Sequence, residues 1–267
     1  MFSLNSYRYL KQSLGEHDAI VQFQECARKS LLHKFEVAKK ESDIDFPSFI
    51  TEESLRFGIH LHNLTIKSYP NIIFQSYLIF PNSLMEEFVD NFINDYNKLF
   101  NTKTKLPDDK KNEEKKCKLE KLIELLKNNG VKEAVTEVEL EIYNYYRSLR
   151  NQTAHTKSKK KTISEKSISF AKEKYPQLTA PNKPENLNFD DFILFTATIK
   201  KIAFQITQSI SSKIDWESYI KNNKDDFPKI NRFVGDRVIT YVQNIISSDY
   251  GLTLDKEVIE KNIRPLE

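Results

Sequence analysis

The chain has 267 residues, with 41 Lys and Arg against 38 Asp and Glu, a formal net charge of +3, five glycines and two cysteines. So few glycines exclude a turn-rich β fold, two distant cysteines exclude a disulfide framework, and no run approaches the roughly 18 apolar residues of a membrane span. The length buries a core without disulfides or metals, and the near-balanced charge leaves nucleic-acid binding to be judged from local clusters.

Residues 1–12 lack the continuous apolar stretch and cleavage site of a secretory signal, so a cytoplasmic location with no membrane partner is expected. Through residues 18–41, Ile20, Phe23, Ala27, Leu31 and Phe35 recur at steps of three and four, the stripe of an amphipathic helix. Pro47 closes the segment that follows. Residues 55–80 hold the most apolar run, from Ile72 to Phe80, and predict a buried helix.

Ser83 and Glu86 fit a capping box after Pro81, so a helix starts there or an existing one kinks at Pro81; Leu84, Phe88, Phe92, Ile93 and Tyr96 carry it to about residue 100. Residues 101–118 are polar, contain Pro107 and read as an exposed connector. Leu119, Leu122, Ile123, Leu125 and Leu126 form the next stripe, ended by the cap-like Asn128-Asn129-Gly130.

Val135, Val138, Ile142, Tyr145 and Leu149 then mark the buried side of a helix that ends near His155. Residues 156–188 are polar and basic with Pro176, Pro181 and Pro184, and predict a long irregular excursion. A helix follows over residues 189–213, opened by Asp190 and Asp191 where acidic side chains suit the positive end of the dipole. Two more amphipathic segments, 228–248 and 255–263, flank Gly251. The fold class expected is all-α.

The residues that carry chemistry lie at the end of the Val135–Leu149 helix. At about 100° per residue, Arg147, Asn151 and His155 share one stripe roughly opposite the apolar one, while Arg150 lies about 140° from His155. Lys157, Lys159, Lys160 and Lys161 follow at once, an excess that suits an RNA backbone or an ordinary solvated loop. Tyr143 and Tyr146, on the flank, suit base stacking or, more commonly, packing.

Arg150, Asn151 and His155 resemble the signature of the HEPN family, an Arg and a His separated by about four to six residues with a small polar residue after the Arg. The resemblance covers roughly residues 68–213, and implies an antiparallel helical bundle with added N-terminal (1–67) and C-terminal (214–267) helices, which also read as one continuous domain. Arg28 with His33 and Arg56 with His62 match the spacing too, but neither arginine is followed by Asn, Asp or His.

Membership of that family implies a metal-independent endoribonuclease, without cofactor, that cuts single-stranded or loop RNA through attack of the ribose 2′-hydroxyl and leaves a 2′,3′-cyclic phosphate. His155, with an ordinary pKa of about 6.5, is suited to move the proton, Arg150 to brace the phosphoryl oxygens, and Asn151 to orient either. One chain supplies one such His, so a homodimer with a composite site is expected; it also brings together groups that lie about 140° apart on one helix.

A toxin or phage-defence role, with an antitoxin or defence-complex partner protein, is implied by the resemblance alone. Lys157 stands where nucleotidylated HEPN toxins carry a Tyr, which argues against that mode of control. A non-catalytic helical interaction module is the alternative from another class. His60 and His62 lack a third ligand at suitable spacing, so no metal site is expected.

Overall fold

A computed structural model describes residues 1–61, 69–108, 115–131, 134–154 and 162–263. Among them every regular element is a helix and no strand occurs. In chain order the α-helices are α1 (Asn5–Ser42), α2 (Phe46–Arg56), α3 (Tyr69–Tyr77), α4 (Ile79–Phe100), α5 (Lys118–Asn128), α6 (Glu137–Ala154), α7 (Glu165–Lys174), α8 (Phe189–Ser211), α9 (Trp216–Asn222), α10 (Asp236–Tyr250) and α11 (Lys256–Ile263). Short 3₁₀ turns occupy Pro184–Asn186, Lys224–Asp226 and Ile230–Arg232.

These elements form two compact units, each drawn from separate stretches of chain: Met1–Gln12, Ser83–Glu139 and Ile199–Glu267 make one, Ser13–Asn82 and Leu140–Thr198 the other. Helices α1, α4, α6 and α8 contribute residues to both.

The first unit is built on side chains that recur at helical spacing and are almost wholly buried, among them Phe88 and Phe92 of α4, Leu122 of α5, Ile202 and Ile206 of α8 and Val242 of α10. Cys117 caps α5: its Sγ accepts from Glu120 N at 3.5 Å while Glu120 Oε2 accepts from Cys117 N at 2.8 Å, a reciprocal arrangement that satisfies two amides otherwise left over at a helix start. Gly130 follows the end of α5 with φ of +74°, in keeping with the cap-like sequence there.

Gly251 ends α10 in the left-handed conformation (φ 68°), and Ser3 N donates to Tyr250 O at 2.9 Å beside it. A β-carbon on Gly251 would collide with the carbonyl oxygen of Met1. Gly251→Ala is therefore expected to cost about 1–3 kcal/mol from left-handed strain plus displacement of the first residues. Urea melts compare it with the parent; a loss below about 0.5 kcal/mol would show that the contact is not constraining.

In the second unit the core is aromatic: Tyr77 of α3, Tyr143 and Tyr146 of α6, and Phe192 and Phe195 of α8 are all buried. Tyr77 packs edge-on to Phe192 at 5.9 Å and Tyr143 stacks on Phe195 at 6.0 Å, the offset and edge geometries that aromatic quadrupoles favour.

In α1 the buried side carries Leu14, Val21 and Glu25, whereas Ile20 and Phe23 are 56% and 74% exposed. Glu25 can be buried because Arg28 meets it through two hydrogen bonds of 2.7 Å, a paired charge that reads in sequence as a solvated face. Pro47 opens α2 rather than closing a segment: Asp45 accepts from Ser48 N at 2.8 Å as the N-cap, and proline is tolerated in a first turn whose amides have no helical acceptor.

The apolar run at 72–80 is not one buried helix. Leu78 separates α3 from α4, and Ile72, Ile79 and Phe80 are exposed while Phe74, Tyr77 and Leu78 are buried. Helix α4 starts at Ile79, before the Ser83 expected to cap it, and Pro81 falls in its first turn. The stretch read as an irregular excursion contains α7, whose N-cap Ser164 also binds Glu141: Ser164 N donates to Glu141 Oε1 at 2.7 Å. All three prolines of that stretch lie beyond α7.

His17 of α1 packs against the Phe80 ring at 4.6 Å and the Phe192 ring at 5.8 Å. Burial lowers its pKa below the ordinary value, against the opposing effects of a hydrogen bond with the Tyr77 backbone and of Asp18. A folded-state pKa below the unfolded one makes the unfolded chain bind the proton first as pH falls. The stability contributed by neutral His17 is complete above about pH 6.5 and declines below it, toward the lowered folded pKa. Between about pH 7.5 and pH 5.5 the parent is expected to lose more stability than His17→Gln; equal losses in urea melts would exclude His17 as a source of acid sensitivity.

Candidate functional site

Helix α6 starts on a side-chain clasp. Thr136 Oγ1 donates to Glu139 Oε2 at 2.8 Å and accepts from Glu139 N at 3.3 Å. Burial raises the Glu139 carboxyl, but the Lys201 ammonium bound to it and the Thr136 hydrogen bonds outweigh that and hold it below its ordinary pKa. The helix continues without Gly or Pro to Ala154.

Its apolar side is wider than the five-residue stripe predicts. Val138, Ile142, Tyr145 and Leu149 are buried as expected, and so are Tyr143 and Tyr146, at 1% and 0% exposure. That exposure leaves neither ring available to a base; both are packing residues. Tyr146 Oη donates to Asp191 Oδ1 at 2.8 Å, and Tyr145 Oη donates to the Asn182 carbonyl. Burial, followed by the Asp191 charge, pushes the Tyr146 phenol well above its ordinary pKa, so it stays a donor.

Asp191, 1% exposed, is the centre of this network. Besides Tyr146 it accepts from Asn182 N, Asn182 Nδ2 and Asn188 N, each at 2.9 Å, which fixes the segment before α8 and places a carboxylate in the first turn of that helix. Position at a helix start is the signal the sequence offered for Asp191; its burial and its asparagine donors depend on the fold.

The candidate chemistry lies at the C-terminal end of α6, with Arg147 and Asn151 away from the apolar side and Arg150 on its flank, in line with the gap between Tyr143 and Tyr146. Arg147, Arg150 and Asn151 are all half-buried and fall within an arc of about 100°. Arg150 Nη1 donates to Asn151 Oδ1 at 3.0 Å. The Nε atoms of Arg147 and Arg150 are buried, and among the described residues neither has a hydrogen-bond acceptor or a carboxylate partner. Two partly desolvated cations one turn apart, with donors unspent, favour an anion.

The other two arginines that share the Arg-to-His spacing are already neutralised. Arg28 is bonded to Glu25 and sits 5.3 Å from the Phe74 ring centroid, and Arg56 Nη1 lies 2.6 Å from Glu53 Oε1. The contrast separates Arg150 from its two sequence look-alikes on physical grounds. His155, Lys157, Lys159, Lys160 and Lys161 lie outside the described residues, as do the side chains of residues 152–154.

Among the described residues no group of three or more His, Cys, Asp or Glu is placed to hold a metal ion, and no helix is long and apolar enough to cross a membrane. His60 is exposed. No protein-family model, curated protein or solved structure matches the chain.

Proposed function

We propose that the chain is a metal-independent endoribonuclease that acts as a homodimer in the cytoplasm on single-stranded or loop RNA. The observation that supports this best is the pair Arg147 and Arg150: half-buried, unneutralised by any described carboxylate, and at the end of the helix that leads into His155. A scissile phosphate supplies the negative charge that such a pair lacks.

In the reaction, the ribose 2′-oxygen forms a bond to phosphorus as the bond to the 5′-oxygen breaks. One copy's His155, neutral, takes the 2′-hydroxyl proton, and the second copy's, protonated, gives one to the departing 5′-oxygen. Arg150 stabilises the added charge on the phosphoryl oxygens, Asn151 holds the Arg150 guanidinium in place, and Arg147 with Lys157 and Lys159–Lys161 binds the flanking backbone. The products are a 2′,3′-cyclic phosphate and a 5′-hydroxyl. A toxin or defence effector, held in check by a partner protein, is the biological setting that the family resemblance implies.

The alternative is a non-catalytic interaction module, favoured by the exposed Ile20, Phe23 and Phe57. Incubation of labelled RNAs in EDTA separates the two: the parent is expected to cleave, and His155→Ala and Arg150→Ala are not. Cleavage surviving in both variants, or absent from the parent on diverse RNAs, would reject the nuclease.

A further inference from the structure

Helix α1 carries two apolar stripes; the fold covers one of them, and the other only at its C-terminal end, where Phe35 packs on Phe46 and Phe49 at 5.0 and 5.5 Å. Leu14, Val21 and Glu25 face the core; Glu16, Ile20, Phe23, Ala27, Leu31 and Lys34 lie together on another side, within an arc of about 80°. Of these, Glu16, Ile20, Phe23, Ala27 and Lys34 are exposed and Leu31 is half-buried. All belong to one compact unit. An exposed Phe and Ile aligned with helical periodicity over this length are more than the scattered apolar residues of an ordinary surface.

The order of residues along the stripe is self-complementary. An acidic residue stands at its start and a basic one at its end, and a large Phe and a small Ala flank its centre. Laid antiparallel against itself about residue 25, the stripe sets Glu16 against Lys34 of the partner subunit, Ile20 beside Leu31 of the partner subunit, and Phe23 over Ala27 of the partner subunit. The two-fold axis repeats each pairing. A parallel pairing would instead place Glu16 beside Glu16 and Phe23 beside Phe23, with like charges and bulk opposed.

We infer that this face of α1 binds a second copy of the chain, as an antiparallel helix pair with a two-fold axis near residue 25. The alanine permits the close approach that ridge-into-groove packing requires, and the charge pair at each end sets direction and register. Leu31 and Lys34 also line a groove of about 340 Å³ with Phe46, Ile50, Phe57 and Leu61, which continues the apolar surface of the stripe. The pairing rests on α1 alone and holds whether or not the Arg150 site cleaves RNA.

Sedimentation across a concentration series is the test. The parent is expected to dimerise, and Phe23→Asp to raise the dimer Kd by at least about tenfold, as loss of a central aromatic anchor does. Phe23 is 74% exposed, so this variant keeps its fold. Glu16→Lys and Lys34→Glu should each weaken the dimer, and the double reversal should return Kd toward the parent value, an outcome that a general loss of structure does not produce.

Cys26, exposed and one residue from the proposed axis, should cross-link to its copy with a short bis-maleimide, while Cys117 is buried. Cys26→Ser should abolish the cross-link. A parent that stays monomeric throughout, a dimer indifferent to Phe23→Asp, or a double reversal no tighter than either single change would overturn the inference.

Discussion

Asp191→Ala is expected to destabilise the protein by about 3–5 kcal/mol, the largest stability effect at any single polar side chain described above. The carboxylate is 1% exposed and accepts from Tyr146 Oη, Asn182 N, Asn182 Nδ2 and Asn188 N. Alanine would leave four donors facing a cavity that excludes protein acceptors, and would remove negative charge from the first turn of α8. Asp191→Asn keeps the shape but turns an amide group toward two of those donors, for about 1–3 kcal/mol. Tyr146→Phe removes one donor and leaves the rest, for about 1 kcal/mol. Urea melts of the three variants should rank in that order. An Asp191→Ala loss under about 1 kcal/mol would mean that water satisfies the network and that Asp191 does not fix the segment before α8.

The largest effect on activity is expected at the end of α6. Under the proposed mechanism, His155→Ala and Arg150→Ala each slow RNA cleavage by about 10²–10³-fold, the range typical of losing a positioned proton carrier or a donor to developing negative charge. Arg150→Lys should recover little, because a point charge does not reproduce the planar fork. Arg147→Ala should act mainly through KM, since its assigned role is to hold the flanking backbone in ground and transition state alike.

The decisive control is Arg56→Ala, which removes an arginine of the same spacing class. Arg56 is bonded to Glu53 and 69% exposed, so cleavage should be unchanged. Equal losses at Arg56 and Arg150 would remove the basis for singling out α6. Mixing inactive Arg150→Ala with inactive His155→Ala offers a separate check on the composite site: mixed dimers should regain part of the activity if residues from two copies act together.

The difference between Arg150 and Arg56 also marks how far the candidate site could be read from sequence. Three arginines precede a histidine at similar spacing, and Asn151 was the feature of the chain that favoured one of them. Whether each guanidinium already has a carboxylate depends on rotamers and burial, and these are expressed only in the fold: Glu25 closes on Arg28, Glu53 on Arg56, and no described carboxylate on Arg150. Tyr143 and Tyr146 were ambiguous for a related reason, since a tyrosine suits a core and a binding face equally until its neighbours are known.

By itself the sequence determined that this protein is helical, and where its strongest helices run. Few glycines, widely spaced prolines and three-four periodicity act within one or two turns, so α5, α6 and α8, the cap at Gly130 and the break at Gly251 were legible from local chemistry. Only the tertiary structure decided which face of a helix is covered. In α1, periodicity favoured Ile20, Phe23 and Ala27, but the core took Val21 and Glu25, because a carboxylate with a bidentate arginine can be buried while an apolar stripe is left outside. Burial is a property of pairs of surfaces, and a single helix's pattern holds only half of each pair.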